Sequence, residues 1–355
     1  MNTKNIDLVN IGLMLLSCIL AFVLPFELFL FSYAVLGPLH YLTEISWLHK
    51  RNYFANGKKD YLWLVLMSAL LIMFSSCAFA NSQAGTNFPV LRAPLAFICD
   101  LMGPLIDEFP NANNFLIYLS FASALAFIAF NDFMPKMLFI AAAIFIGIII
   151  KSTQSFFLVF AVFLPTLIHV FVFTGLFILQ GALKNKSATG IASVAVFIAC
   201  AASFFMVYPH FSFYSITNYA QKALTDSGFV NVNRYLMLLF NKETESVFES
   251  NIGFGVMRFI AFAYTYHYLN WFSKTQVIKW HQVPKKQLAF VIVLWVASVA
   301  LYMVDYFVGL VALYFLSMLH VLLEFPLNYR SFVGIGQELR LMGGGKKPKP
   351  ATAKR

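Results

Sequence analysis

Charge is what this chain has least of. Only 11% of its 355 residues are Asp, Glu, Lys or Arg, against about a quarter in a soluble domain. With 60% of the residues hydrophobic, that scarcity excludes an ordinary water-soluble globule and leaves no stretch for a sizeable soluble domain. Cysteine is scarce as well. Cys18, Cys77, Cys99 and Cys200 show no C-x-x-C or finger spacing, so they give neither a cysteine metal site nor a disulfide framework. They read as isolated apolar cysteines, with pairing of Cys77 and Cys99 near the outer face as the alternative. The start "MNTKNIDLVNIGLMLLSCILAFVLPF" has one early lysine and no small-residue cleavage site, so it reads as a retained first helix. There is no internal repeat, and low complexity is confined to the tail "GGGKKPKPATAKR".

What is present is a series of apolar runs near the length of about 20 residues that crosses a bilayer. They fall at 8–24, 26–48, 61–80, 112–130, 134–150, 154–180, 188–208, 252–273, 287–304 and 306–327. The fold class expected is therefore all-α, a polytopic integral membrane protein of about ten transmembrane helices. Residues 88–105, with Arg92, two prolines and Asp100, read as a re-entrant or interfacial element instead. Ten spans put most Lys and Arg on one side, in "HKRNYFANGKKD", "NDFMPK", "GALKNKS", "SKTQVIKWHQVPKK" and the tail. That is the cytoplasmic pattern, so both termini are expected inside. Residues 1–340 form one transmembrane domain, and 341–355 a basic, disordered cytoplasmic tail. The net charge of +10 then answers to anionic lipids at the basic loops and not to nucleic acid. The expected location is a cell membrane, crossed many times, the bacterial inner membrane above all.

Seven histidines divide into two groups. His49, His210 and His281 fall at helix ends or in loops and read as interfacial. His40, His169, His267 and His320 lie inside spans, where ionisable groups are costly and usually functional. They occupy the second, sixth, eighth and tenth spans, all running from outside to inside. His40 is 14 residues past Phe26, His169 15 past Gln154, His267 15 past Ile252 and His320 14 past Tyr306. At 1.5 Å per residue they share one depth. Four imidazoles at one level suit a transition metal such as iron, copper or zinc.

Two of these histidines carry a carboxylate four residues on, in "HYLTE" (His40, Glu44) and "HVLLE" (His320, Glu324), a spacing that keeps each pair on one helix face. The carboxylates either orient a histidine from a neighbouring helix or are ligands themselves, giving a two-metal carboxylate site. Thr43, Ser46, Thr166, Thr174, Tyr264, Thr265, Tyr266, Asn270 and Trp271 fit a lined cavity; Thr43, Tyr264, Tyr266 and Trp271 are the substrate-cavity candidates. Tyr and Trp at that depth read equally as the inner aromatic belt, and for Trp271 the belt is the first reading.

At these boxes the sequence resembles the Brp/Blh family of integral-membrane β-carotene 15,15′-dioxygenases. "GPLHYLTE" is similar to that family's early "PHGALD"-type box, "LPTLIHVFVF" to its isolated histidine, "YTYHYLNWF" to its aromatic His-x-x-x-His box, and "LHVLLEF" to its last histidine and acid. The resemblance covers about forty residues. It implies a non-haem iron held by histidines alone, with dioxygen and a lipid-soluble polyene as substrates and retinal as product. By position, His40, His169 and His267 match its ligands. The chain departs from the pattern where Trp271 stands for the second histidine of the third box, where Glu44 replaces an Asp, and in the longer stretch between the first two boxes. His320 is left to supply the fourth nitrogen.

The function expected is thus an iron (Fe2+) oxygenase with His40, His169, His267 and His320 on the metal and with Glu44 and Glu324 tuning them. A two-metal membrane hydroxylase or desaturase is the alternative among enzymes, although the dense His-x-x-His-His clusters of that class are absent. A transporter passing protons or metal ions along the same residues is the alternative from another class.

Overall fold

The computed structural model describes residues 3–51, 61–80, 89–108, 112–150, 153, 156–208, 214–273 and 283–344. His210, His281, the side chain of His49 and the tail beyond 344 lie outside what is described. Among the described residues every element is helical and no strand occurs. The protein is an all-α polytopic membrane protein. Among the described residues eight helices are long and apolar enough to cross a bilayer.

Helix α1 (Thr3–Val23) ends where Pro25 opens α2 (Pro25–Phe31), a proline at the first helical position where its missing N–H costs nothing. A π-helical segment, Ser32–Leu36, joins α2 to α3 (Gly37–Arg51), so the second expected span is one rod. Its π turn ends two residues before Pro38. A proline inside a helix removes a hydrogen bond and crowds the carbonyl four residues back, and local π adjustment satisfies the freed groups. The same device recurs around Pro165 in the π-helical segment Phe157–Phe173.

Then come α4 (Tyr61–Ala80), α5 (Pro89–Glu108), α6 (Ala112–Ala129) and α7 (Phe133–Ile150). After the second π segment follow α8 (Thr174–Asn185), α9 (Ala188–Met206), α10 (Asn218–Asp226), α11 (Phe229–Leu238), α12 (Asn251–Ser273), α13 (Lys285–Val304) and α14 (Tyr306–Met342).

Two expectations change, and a third element gains its form. Residues 89–105 of the expected re-entrant or interfacial element lie in the 20-residue helix α5, which carries Pro94 and Pro104 within it and is not among the eight helices long and apolar enough to cross a bilayer. Cys77 and Cys99 are not isolated but joined in a disulfide between α4 and α5, and Arg92 Nε donates to Ala80 O at 3.0 Å beside it. The last span does not stop at 327. Helix α14 runs 37 residues through Pro326 to Met342, because Asn328, Ser331 and Ile335 are buried against neighbours and hold its extension in place.

Helix α12 is the axis of the assembly. It packs on α1, α2, α9, α11 and both π segments, and most of its residues, Arg258 included, are buried. Enclosure by protein explains why it is not among the eight lipid-grade helices while α13 and α7 are, with only 17% and 22% of their span windows buried. The second central element, α14, packs on α3, α4, α6, α8 and α13. The candidate site lies where α3, the second π segment, α12 and α14 meet.

Candidate metal centre

Each histidine reaches the site from a different element. His40 comes from α3, four residues past the first π turn, and His169 from within the second π segment, four residues after Pro165. His267 comes from the enclosed α12 and His320 from α14. π turns inside helices occur often at functional sites, because the extra residue re-aims the side chains that follow.

The four rings form a closed cycle. Ring centroids are 4.7 Å apart for His40 and His267, 4.9 Å for His267 and His169, 5.2 Å for His169 and His320, and 5.3 Å for His320 and His40. Exposure is 5% or less at every ring. The Nε2 atoms of His40 and His267 stand 3.2 Å apart. Two nitrogens on one ion at roughly 2.1 Å are about 3.0 Å apart at a right angle and about 3.4 Å at a tetrahedral one; the observed spacing lies between.

The carboxylates differ in what they face. Glu44 Oε2 is 3.1 Å from Nε2 of His40, on its own helix. Glu324 Oε2 is 3.4 Å from Nε2 of His169, on a neighbouring helix. One donor atom each from His40, His267, His320 and Glu324 lie within 4.8 Å of one another. That buried group can hold a metal ion, with His169 and Glu44 at its border.

Two further observations fit a cation. Among the described residues the ring nitrogens of His169 make no hydrogen bond besides the ion-pair contact with Glu324. Buried polar nitrogens are rarely left so, and a missing ion is one recognised explanation. Charge points the same way. Glu44 and Glu324 are 1% and 4% exposed, and a divalent cation offsets the cost of holding two carboxylates in a low-dielectric interior.

No protein-family model, curated protein or solved structure matches the chain.

The surroundings show which neighbours bear on the histidines. Thr174 Oγ1 is 2.8 Å from Nδ1 of His267, the contact by which a metal-binding imidazole is usually oriented. Thr43 donates to the carbonyls of Leu39 and His40, and its Oγ1 accepts from Trp271 Nε1 at 3.1 Å. Trp271 is therefore no part of an aromatic belt. It is 6% exposed and sets its edge to His40 at 5.7 Å.

Tyr264 lies one turn before His267 but packs on Phe29, Tyr33 and Tyr268. Tyr266 points elsewhere: its hydroxyl donates to Asn10 of α1 and its ring packs on Phe197. Sequence reasoning did not single out Tyr41 and Tyr268. Tyr41 stacks on His320 at 5.2 Å, while Tyr268 covers His40 at 5.1 Å and His267 at 5.5 Å. Both sit next to a site residue in sequence, Tyr41 after His40 and Tyr268 after His267, but tyrosine is common in membrane proteins and carries no cost that marks it. Gly37 lets α12 come close: a Cβ there would stand 3.3 Å from the Tyr268 hydroxyl.

Proposed function

We propose that this protein is a membrane-embedded non-haem iron oxygenase acting on a lipid-soluble substrate with dioxygen, and that a carotenoid cleaved to retinal is the first substrate to test. The observation that carries the reading is the closed cycle of four buried imidazoles with two carboxylates at its edge. His40, His267, His320 and Glu324 would hold the metal, with His169 beside them. Here the reading departs from an all-histidine site, since a carboxylate oxygen stands among the donors. Ferrous iron, when bound, supplies dioxygen activation.

The chain's own residues do the rest. Thr174 accepting from Nδ1–H of His267 fixes the tautomer that turns the Nε2 lone pair toward the site. Glu44 holds His40 in place from one helical turn away. Tyr41, Tyr268 and Trp271 cover the rings and keep water out, which strengthens every electrostatic interaction inside.

The membrane we assign is the bacterial inner membrane, with both termini cytoplasmic and anionic lipids at the basic loops. In that orientation the C-terminal end of α4 faces outward, and the Cys77–Cys99 disulfide beside it belongs to an oxidising compartment.

The pairing of each carboxylate with a different histidine, Glu44 with His40 and Glu324 with His169, also favours a second reading, a two-metal hydroxylase with both carboxylates as ligands. Metal analysis of wild type beside His40→Ala, His169→Ala, His267→Ala and His320→Ala separates the two. One iron per chain, lost in the variants, supports the first reading, and two metals support the second. No metal in folded wild type rejects both. Expression in cells that accumulate β-carotene tests the substrate: persisting colour without retinal rejects carotenoid cleavage.

A further inference from the structure

A groove opens on the side of α6 and α7, with a volume of about 240 Å³. Phe121, Ala142, Phe160, Leu164 and Phe325 contribute to its walls, and Tyr118, its one polar lining residue, spends its hydroxyl on the carbonyl of Ala143 at 3.0 Å. The space is larger than the roughly 150 Å³ apolar cavity that stays dry and takes up benzene. Water has no partners there, so hydrocarbon is the natural occupant.

The groove faces lipid. Its rim includes Ile146, 50% exposed, next to Phe145 at 67%, on the membrane-spanning helix α7. Two of its lining residues are close in sequence to residues of the site: Phe325 follows Glu324 directly on α14, and Leu164 precedes His169 by five residues on the second π segment. Phe325 packs against Phe121 at 5.1 Å and Phe173 at 5.8 Å, closing the floor. Elsewhere the histidines are covered by Tyr41, Tyr268 and Trp271, which are 1%, 3% and 6% exposed.

We propose that this groove receives the long apolar chain of the substrate sideways from the bilayer, with Phe325 and Leu164 as the partition between chain and metal donors. The inference rests on the oxygenase reading for its substrate, while the groove's occupancy is open to test without turnover. Small side chains suit it: Ala122, Ala142 and Ala143 line the groove on helices otherwise rich in Phe, Ile and Leu. A long acyl, isoprenoid or polyene chain is the class of ligand that such walls accept.

The test uses the full chain in lipid nanodiscs and a photoactivatable diazirine on a sixteen-carbon hydrocarbon. Wild type should be labelled chiefly on peptides covering 118–125 and 139–164. Ala142→Trp, which fills the groove from its lipid side, should lower that labelling about five-fold or more. Ile198→Trp, at a lipid-facing position on α9 that is 58% exposed, should leave it unchanged. Phe325→Ala should extend labelling to the peptide carrying His169. Adducts spread evenly over the lipid-facing helices, or insensitive to Ala142→Trp, would overturn the proposal. Metal content measured on the same samples keeps the two readings apart. Groove labelling without bound metal rejects the oxygenase reading and upholds the groove, and bound metal without groove labelling rejects the groove alone.

Discussion

Thr174 and Glu324 are the residues whose replacement tests the centre most directly. The Thr174 hydroxyl holds Nδ1 of His267 at 2.8 Å, and loss of such an outer partner costs about 10–100-fold in metal affinity. Thr174→Val should show that loss in a metal titration, and Thr174→Ser should restore most of it; equal affinity in all three proteins would remove Thr174 from the site. Glu324 and Glu44 should separate. Glu324→Gln takes an oxygen out of the donor group and should abolish stoichiometric binding, whereas Glu44→Gln should only weaken it. The four histidines and both acids stood out in the sequence because an ionisable group in lipid is expensive. Tyr41, Tyr268 and the buried setting of Trp271 did not, because rings belong equally in a lipid wall, an interface or a core.

Elements carry a different kind of evidence. Among the described residues each of the ten spans read from hydropathy falls on helix, and eight helices are long and apolar enough to cross a bilayer, since burying backbone in lipid demands helical hydrogen bonding. The two π segments were not legible: Pro38 and Pro165 mark where a helix must adjust, but not that it does so by a π turn. The disulfide was misjudged because pairing depends on Cα atoms of two helices standing 4.8 Å apart. Thiol tagging of the denatured protein should count two free thiols, Cys18 and Cys200, before reduction and four after. A chain-entropy estimate for closing a loop with this separation of 22 residues gives about 3 kcal/mol of stabilisation.

The segment ahead of α10 is held to α2 by Glu27, which accepts from the Tyr214 hydroxyl at 2.8 Å and from Thr217. Burial first, and then the Glu27 carboxylate, raise the Tyr214 pKa. Its folded value lies above the unfolded value of about 10, so its stabilisation is complete below about pH 10 and fades as pH rises beyond that. Protease cleavage near 214–217 should rise in that alkaline range, and Tyr214→Phe should show raised cleavage already at neutral pH.

At the scale of the whole molecule, four separately threaded elements meet at one buried polar group. A ligand that binds only the folded state adds about 4 kcal/mol when present at a thousand times its dissociation constant. Chelation should therefore lower the thermal midpoint, and iron should restore it. His320→Ala should show the lower midpoint with no response to either; a wild-type midpoint indifferent to metal would count against the centre. Reporters fused to either terminus should be active on the cytoplasmic side, and activity of one only outside would break the assigned orientation.

The sequence by itself determined the membrane class, the helices and the four histidines with their acids, because hydropathy and the cost of charge in lipid are local properties of a segment. Tertiary structure alone decided that the rings close into a cycle, that Glu324 gathers with His40, His267 and His320 in one buried cluster, and that α12 is enclosed. It also decided that Cys77 meets Cys99. Each of these depends on how helices rotate about their own axes and which neighbours they meet, and a span's hydropathy is nearly indifferent to both.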